Sequence, residues 1–288
     1  MNIDECRAKY EKEALVAFID ILGFQSMAKN GMREEILEFL YLIRNFNAEY
    51  QADLHITQEA WLTGKVQPRI SSFSDHIIIS LPFELTDFPE NFNNRRSVLF
   101  HHLGTLNEYI THFQLLGLER NILLRGAIAL GPHYHDWENN LIYGSPLIES
   151  ITYETKLATY PRVVLAESLL INGANIFNIP EDESHMYPIS TAFRLDFDGL
   201  FHVDYLELAF SLLSEDKLTE IKGIIENGIK DNQNNFNILT KWKWLASYFN
   251  TKTVSFKTPE QTKPNHIYKN IDPISLRYDA DKLKIFES

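Results

Sequence analysis

Ala17-Phe18-Ile19-Asp20-Ile21-Leu22-Gly23-Phe24 constrains this chain more than any other stretch, because it sets an acidic residue inside an apolar run. Apart from Ala17 and Asp20, residues 15–22 are all branched or aromatic, which predicts a strand buried on both faces. A carboxylate in such a run is costly unless a metal ion, a hydrogen-bond donor or a cation neutralises it. Gly23, directly after the run, lets the backbone turn tightly and approach a ligand. The stretch therefore predicts a candidate site for a metal ion and phosphates. The competing reading is a strand-end Asp that caps the next helix or pairs with a buried Arg.

The remaining chain can build a core around that strand. Its 288 residues are 44% hydrophobic and 12% aromatic, enough for one large domain with an extension, or two small domains, and too apolar for a disordered protein. The net charge of −12, with no long Lys/Arg run, argues against duplex nucleic acid as the main partner, since that affinity is largely electrostatic. A nucleotide stays open as a substrate, because metal ions and a few donors meet its charge locally. Cys6 is the one cysteine, which excludes an intrachain disulfide and a Cys-based zinc site. The N-terminal segment lacks the basic start and apolar centre of a signal peptide. No segment approaches the ~20 apolar residues of a membrane span. A soluble, cytoplasmic protein with no membrane partner is expected.

Taken in order, residues 3–13 read as a charged lead-in, followed by the strand at 14–22. Met27, Ile36, Phe39, Leu40, Ile43 and Phe46 recur at helical steps and predict an amphipathic helix over 25–50; residues 51–66 resist assignment. Residues 69–80 read as a β-hairpin turned at Ser74-Asp75-His76, with Asp75 at the tip and His76 as a turn side chain. A loop at 84–97 and a helix at 97–117 follow. Residues 122–130 predict a strand stopped by Gly131-Pro132, after which His133 and His135 read as loop histidines lacking a third metal ligand. The chain returns through 141–143 to a helix over 146–158, with Ser145 as N-cap, Pro146 at the first position, and Glu149, Glu154 and Lys156 exposed. A strand at 160–165, a helix at 166–171 and a hairpin over 193–203 turned by Asp198-Gly199 come next. Helices at 205–213, 215–230 and 236–249 close the chain, with Trp242, Trp244, Tyr248 and Phe249 as a packing face and a polar tail from Asn250. The order predicts an α+β fold, a mostly antiparallel sheet with helices packed on it. It is organised as a lead-in at 1–13, a main domain at 14–205 and a C-terminal helical extension at 206–288.

A central first strand beside the hairpin would bring Asp20 and Asp75 together, where two carboxylates repel unless divalent cations sit between them. These residues resemble the class III nucleotide cyclase family. Its opening Phe-x-Asp-Ile-x-Gly-Phe is matched at every defined position by Phe18–Phe24, and its second metal Asp lies in a hairpin turn like Ser74-Asp75. Arg125-Gly126-Ala127-Ile128 is similar to its arginine–glycine strand, and Tyr143-Gly144 to its aromatic–glycine step, so the resemblance covers about residues 14–205. The departures point away from purine cyclases: Ile148 and Thr152 stand where those carry an Asn and an Arg, and Ser71 and Leu141 where they select the base.

A nearer resemblance is to the Pycsar antiphage cyclases, through the opening motif, the Ser-Asp hairpin, the Arg-Gly strand, Leu147-Ile148-Glu149 to Glu154, and Pro161-Arg162-Val163. That resemblance implies a class III cyclase-like catalytic domain that converts UTP (or CTP) to the 3′,5′-cyclic nucleotide and pyrophosphate. It further implies two Mn²⁺ or Mg²⁺ ions per site, a homodimer with active sites at its interface, and a separate cyclic-nucleotide-activated effector in antiphage defence by abortive infection. Asp20, Asp75 and the Ile21 backbone carbonyl would ligate the ions. Phe18, Leu22, Gly23 and Phe24 would contact the nucleotide, with the amides from Ile21 to Phe24 taking phosphates. Arg125, Lys156 or Arg162 would supply the missing cation, and Ser71 would face the base. Two alternatives stand beside this: a degenerate cyclase-like nucleotide-binding sensor, and an interaction protein whose acidic pair is incidental.

Overall fold

The strand that carries Asp20 lies at the centre of an eight-stranded sheet in the computed structural model. The structure describes residues 3–29, 31, 33–53, 68–82, 95–136, 138–172, 192–255 and 283–285. Helix α1 (Ile3–Tyr10) runs into β1 (Glu11–Ile21), followed by α2 (Phe24–Lys29) and α3 (Arg33–Asp53). The hairpin β2 (Arg69–Phe73) and β3 (His76–Pro82) precedes α4 (Arg95–Leu118). Then come β4 (Leu124–Asp136), β5 (Leu141–Gly144), α5 (Ser145–Lys156), β6 (Val163–Leu165) and α6 (Glu167–Asn172). A second hairpin, β7 (Phe193–Leu195) and β8 (Phe201–Val203), leads to α7 (Tyr205–Leu212), α8 (Glu215–Asp231) and α9 (Phe236–Ser255).

The sheet order is β2-β3-β1-β4-β6-β8-β7, with β5 on the far half of β4. Every pairing is antiparallel except β4 with β6, so the sheet is mostly antiparallel as predicted. The register sorts its residues into two faces. Leu15, Ala17 and Ile19 of β1 pair with Leu81, Ile79 and Ile77 of β3 and, with Ile21, join the main core with Phe39 of α3 and Phe113 of α4. Phe210, Ile225, Trp242 and Phe249 of the C-terminal helices enter that same core, as do Leu283 and Ile285. On the opposite face, α5 packs over β4 and β1, with Ala127, Ala158 and Val164 beneath Tyr153.

Several boundaries differ from expectation, each for a tertiary reason. Strand β4 does not stop at Gly131-Pro132 but continues to Asp136. Pro132 falls between the stretch paired with β6 and the stretch paired with β5, so only its β1 side has a neighbouring strand and a missing N–H is tolerated. His133 and His135 are therefore buried strand residues, not loop histidines. The extension of β4 also draws Glu11, Lys12 and Glu13 into β1, which starts before residue 14. The expected helix over 25–50 is two helices, parted at Gly31 with φ 97°. His76 is the first residue of β3, leaving Ser74-Asp75 as the turn. Ser145 opens α5 rather than capping it; Gly144 is the N-cap. Glu154, expected exposed, is buried. The chain at 160–162 turns before β6 begins, and α9 extends past residue 250 to Ser255. Most of the unassigned 51–66 stretch, the 84–97 loop and the polar tail fall outside the described residues.

One glycine holds the two central strands together. A Cβ on Gly126 would lie 2.3 Å from the Phe18 carbonyl oxygen, a backbone atom that cannot step aside. Gly126→Ala is expected to push β4 off β1 and cost about 3 kcal/mol, the upper end of overpacking. The urea midpoint reads this, and an unchanged midpoint refutes it.

Candidate metal centre

The centre grows from one row of the sheet. Cross-strand pairing sets Phe73, His76, Asp20 and Arg125 side by side across β2, β3, β1 and β4, all on the α5 face. The hairpin tip is fastened to the end of β1 by the Ile21 N–H, which donates to the Asp75 carbonyl at 3.2 Å. Gly23, at φ 77°, then takes the left-handed turn that closes the corner. As a result Asp20, Asp75 and His76 each offer a ligand atom within 4.8 Å of the others. His76 stands between the carboxylates, its Nε2 3.8 Å from Asp20 Oδ1 and its Nδ1 3.7 Å from Asp75 Oδ1.

Arg125 approaches Asp20 from the other side. Its Nε donates to Asp20 Oδ2 at 3.1 Å, and its Nη2 lies 2.7 Å from Glu154 Oε1. Asp20 is only 8% exposed, so burial pushes its carboxyl up despite the Arg125 hydrogen bond and charge, and the nearby Asp75 adds to the push. Burial likewise pushes Glu154 up, against the pull of Arg125. Asp20 and Glu154 thus share one guanidinium, while Asp75 lies beside Asp20 and His76 with no contact to Arg125 among the described residues. A hard divalent ion would relieve that excess, and Asp20 Oδ1, the oxygen Arg125 leaves, already faces Asp75 and His76. Carboxylate oxygens with a single imidazole suit Mg²⁺, or Mn²⁺ where the imidazole joins.

No protein-family model matches the chain, and no curated protein matches it in sequence. Among solved structures it is similar to the crystal structure of the guanylyl cyclase Cya2, with a TM-score of 0.36 and 12% identity, covering 57% of this chain and 80% of that one. So loose a likeness carries no argument. The function must be read from the residues of the site.

The other predicted residues fall in several places. Phe18 packs its ring 5.0 Å from that of His76. Ile21, whose carbonyl was expected as a ligand, is the last residue of β1. The Leu22 N–H donates to the Leu123 carbonyl at 2.8 Å. With Ile21 bound to Asp75, two of the four amides expected to meet phosphates are committed within the protein. Helix α2 is only six residues long, so it adds little dipole. Arg162 is not in the site at all. It is fully buried between Asp196 and Asp198 and lies over the rings of Tyr160 and Trp244. Lys156 is exposed at the end of α5. Leu141 and Ile148 are exposed on β5 and α5, and Thr152 turns its hydroxyl back to the Ile148 carbonyl at 2.7 Å. Ser71 sits on the site face, its hydroxyl bonded to His135.

Glu154 was missed from sequence. Its signal was the spacing Pro146, Ser150, Glu154, one residue per turn and all three buried. Past Pro146 the stripe carries only polar side chains, Ser150 and Glu154, so it does not register as a buried face.

Proposed function

We propose that this chain is a divalent-ion-dependent nucleotide cyclase, carried by the convergence of Asp20, Asp75 and His76 within 4.8 Å at the closed corner of the central strand. Asp20, Asp75 and the Ile21 carbonyl hold the ions, and the amides of Gly23 and Phe24 meet phosphate oxygens. Bound there, Mn²⁺ or Mg²⁺ would lower the pKa of a ribose 3′-hydroxyl and neutralise the triphosphate. Arg125, held between Asp20 and Glu154, keeps the Asp20 carboxylate turned toward Asp75. In-line attack of the 3′-oxygen on the α-phosphorus forms the cyclic ester as the bond to pyrophosphate breaks, a reaction governed by positioning and charge.

The substrate we assign is UTP or CTP, on the strength of Ser71 and Leu141 at the base-selecting positions and of the resemblance to Pycsar cyclases. The same resemblance supports a homodimer, a separate cyclic-nucleotide effector and a role in antiphage defence. Exposed Tyr143, Ile148 and Ile151 give such a pairing apolar surface. No helix among the described residues is long and apolar enough to cross a membrane.

A second reading has its own observation. Ile148 and Thr152 supply no cation, and Arg125 is engaged by Asp20 and Glu154, which favours a nucleotide-binding sensor without turnover. Purified protein with Mn²⁺ and each of the four ribonucleoside triphosphates decides. A cyclic pyrimidine nucleotide with stoichiometric pyrophosphate is the expected result. No cyclic product from any of the four refutes the cyclase; nucleotide binding without product transfers the assignment to the sensor.

A further inference from the structure

Helix α9 belongs to the C-terminal extension, outside residues 14–205, yet it packs at the end of the sheet where the metal centre lies. The Gly126 N–H, next to Arg125, donates to the Arg162 carbonyl at 3.1 Å. The Arg162 guanidinium lies 5.7 Å from the centre of the Trp244 ring on α9, and Trp244 stacks on Tyr160 at 5.5 Å. Lys241 precedes Trp244 by three positions and so shares its side of the helix. That brings the Lys241 ammonium within electrostatic reach of the Arg125 guanidinium.

Lys241 meets that second cation without an acid of its own. It is half-buried, and its hydrogen bond runs to the Asn237 carbonyl of the same helix at 3.1 Å. Burial pushes its ammonium down, the Arg125 charge adds to the push, and no carboxylate among the described residues offsets either. Arg125 spends Nε on Asp20 and Nη2 on Glu154, which leaves its Nη1 unbonded among the described residues. Its side chain is 25% exposed, so both cations are open to a solute. A cation taken partly out of water beside another cation costs stability unless an anion lies against both.

We infer that Lys241 Nζ and Arg125 Nη1 form an oxyanion subsite at the rim of the metal centre, through which the C-terminal extension supplies a cation to the terminal phosphates of the nucleotide. This rests on the nucleotide reading above. The same corner is short of donors: the Ile21 and Leu22 amides are bonded within the protein, and Ile148 and Thr152 carry no charge. Lys241 has the chemistry to make up the shortfall, with three donors and a full charge on a flexible stem. The subsite concerns phosphate alone, is built from one protomer, and leaves the base to the dimer interface.

Calorimetric titration of the intact protein with inorganic pyrophosphate in the presence of Mg²⁺ tests it. Lys241→Met is expected to weaken binding about tenfold, the worth of one hydrogen bond to a charged group, and Lys241→Arg to keep most of the affinity. Lys243→Met removes the same charge on the other side of α9 and is expected to change binding by less than about twofold, since salt screens a remote charge. The ligand-free melting temperature of Lys241→Met is expected to equal or exceed that of the unsubstituted protein, because one of two facing cations is gone. Pyrophosphate binding unchanged in Lys241→Met overturns the subsite and leaves the nucleotide reading standing. Equal losses in the two Met variants overturn it as a general effect of charge. A lowered melting temperature, with binding lost in Lys241→Arg as well, overturns it by making Lys241 a structural residue. No binding of pyrophosphate by the unsubstituted protein overturns it through failure of the nucleotide reading itself.

Discussion

Asp75→Ala is expected to abolish the thermal stabilisation that Mn²⁺ gives the protein and to lower cyclic-nucleotide formation by about 10³-fold or more. A bound divalent ion contributes several kcal/mol of charge stabilisation to phosphoryl chemistry, and each 1.36 kcal/mol is worth about tenfold in rate. The stability readout is as informative. An ion at about 100 times its Kd stabilises the fold by roughly 2.7 kcal/mol, and a variant without the ligand loses that increment. Asp20→Asn separates a metal ligand from a mere partner of Arg125. Burial holds the Asp20 carboxyl above its ordinary value, so the folded state keeps that proton longer than the unfolded one. Stability from this group therefore falls as pH rises from the ordinary carboxylate range through the raised value, and at neutral pH the ion-free charge is a cost. Asn can still accept from Arg125 Nε, and Arg125 keeps Glu154. The ion-free melting temperature of Asp20→Asn at pH 7 is thus expected to equal or exceed that of the unsubstituted protein, while the Mn²⁺ response vanishes. A lower melting temperature with the Mn²⁺ response intact would make Asp20 a structural ion-pair partner.

How far the site was legible in the sequence follows from how local each signal is. The Leu15–Leu22 run and the Ser74-Asp75 turn carry their structure within a few residues, and both elements formed, with their ends shifted by one to three residues. Once β1 lay beside the hairpin, the meeting of Asp20 and Asp75 needed no further information. Pro132 misled because a proline ends a strand only where its N–H would have faced a neighbour, and which side is occupied depends on β5 and β6, remote in sequence. Arg125 and Arg162 looked interchangeable as free cations. What distinguishes them is a pairing over more than thirty positions, Arg162 with Asp196 and Asp198, that no spacing rule conveys. Glu154 was hidden by the opposite effect: a helix face buried through Pro146 and Ser150 lacks the apolar repeat by which buried faces are recognised.

The largest effect on folding is expected at Arg162. Its side chain is wholly inaccessible, bonded to Asp196 and to both oxygens of Asp198, with Trp244 Nε1 donating to Asp196 at 3.0 Å beside it. Arg162→Met removes the cation but leaves two carboxylates that are 13% and 30% exposed, and breaking such a pair costs about 3–5 kcal/mol. That is roughly 10 °C in melting temperature for a chain of this size. The pH dependence gives the sign. Burial raises the Asp198 carboxyl, but the Arg162 hydrogen bond and charge outweigh it and hold the group below its ordinary value. A lowered folded value stabilises above the ordinary carboxylate range and is lost as pH falls through the lowered value, so the gap between Arg162→Met and the unsubstituted protein is expected to narrow in acid. Adding Asp196→Asn and Asp198→Asn should recover part of the loss, because no buried charge is then left unpaired. A gap that stays constant from neutral pH into acid would assign the loss to packing against Tyr160 and Trp244 instead. Because Arg162 lies outside the cluster of Asp20, Asp75 and His76, the folded fraction of Arg162→Met is expected to keep its full Mn²⁺ response, which divides the cation that holds the sheet to the C-terminal helix from the carboxylates that hold the ion.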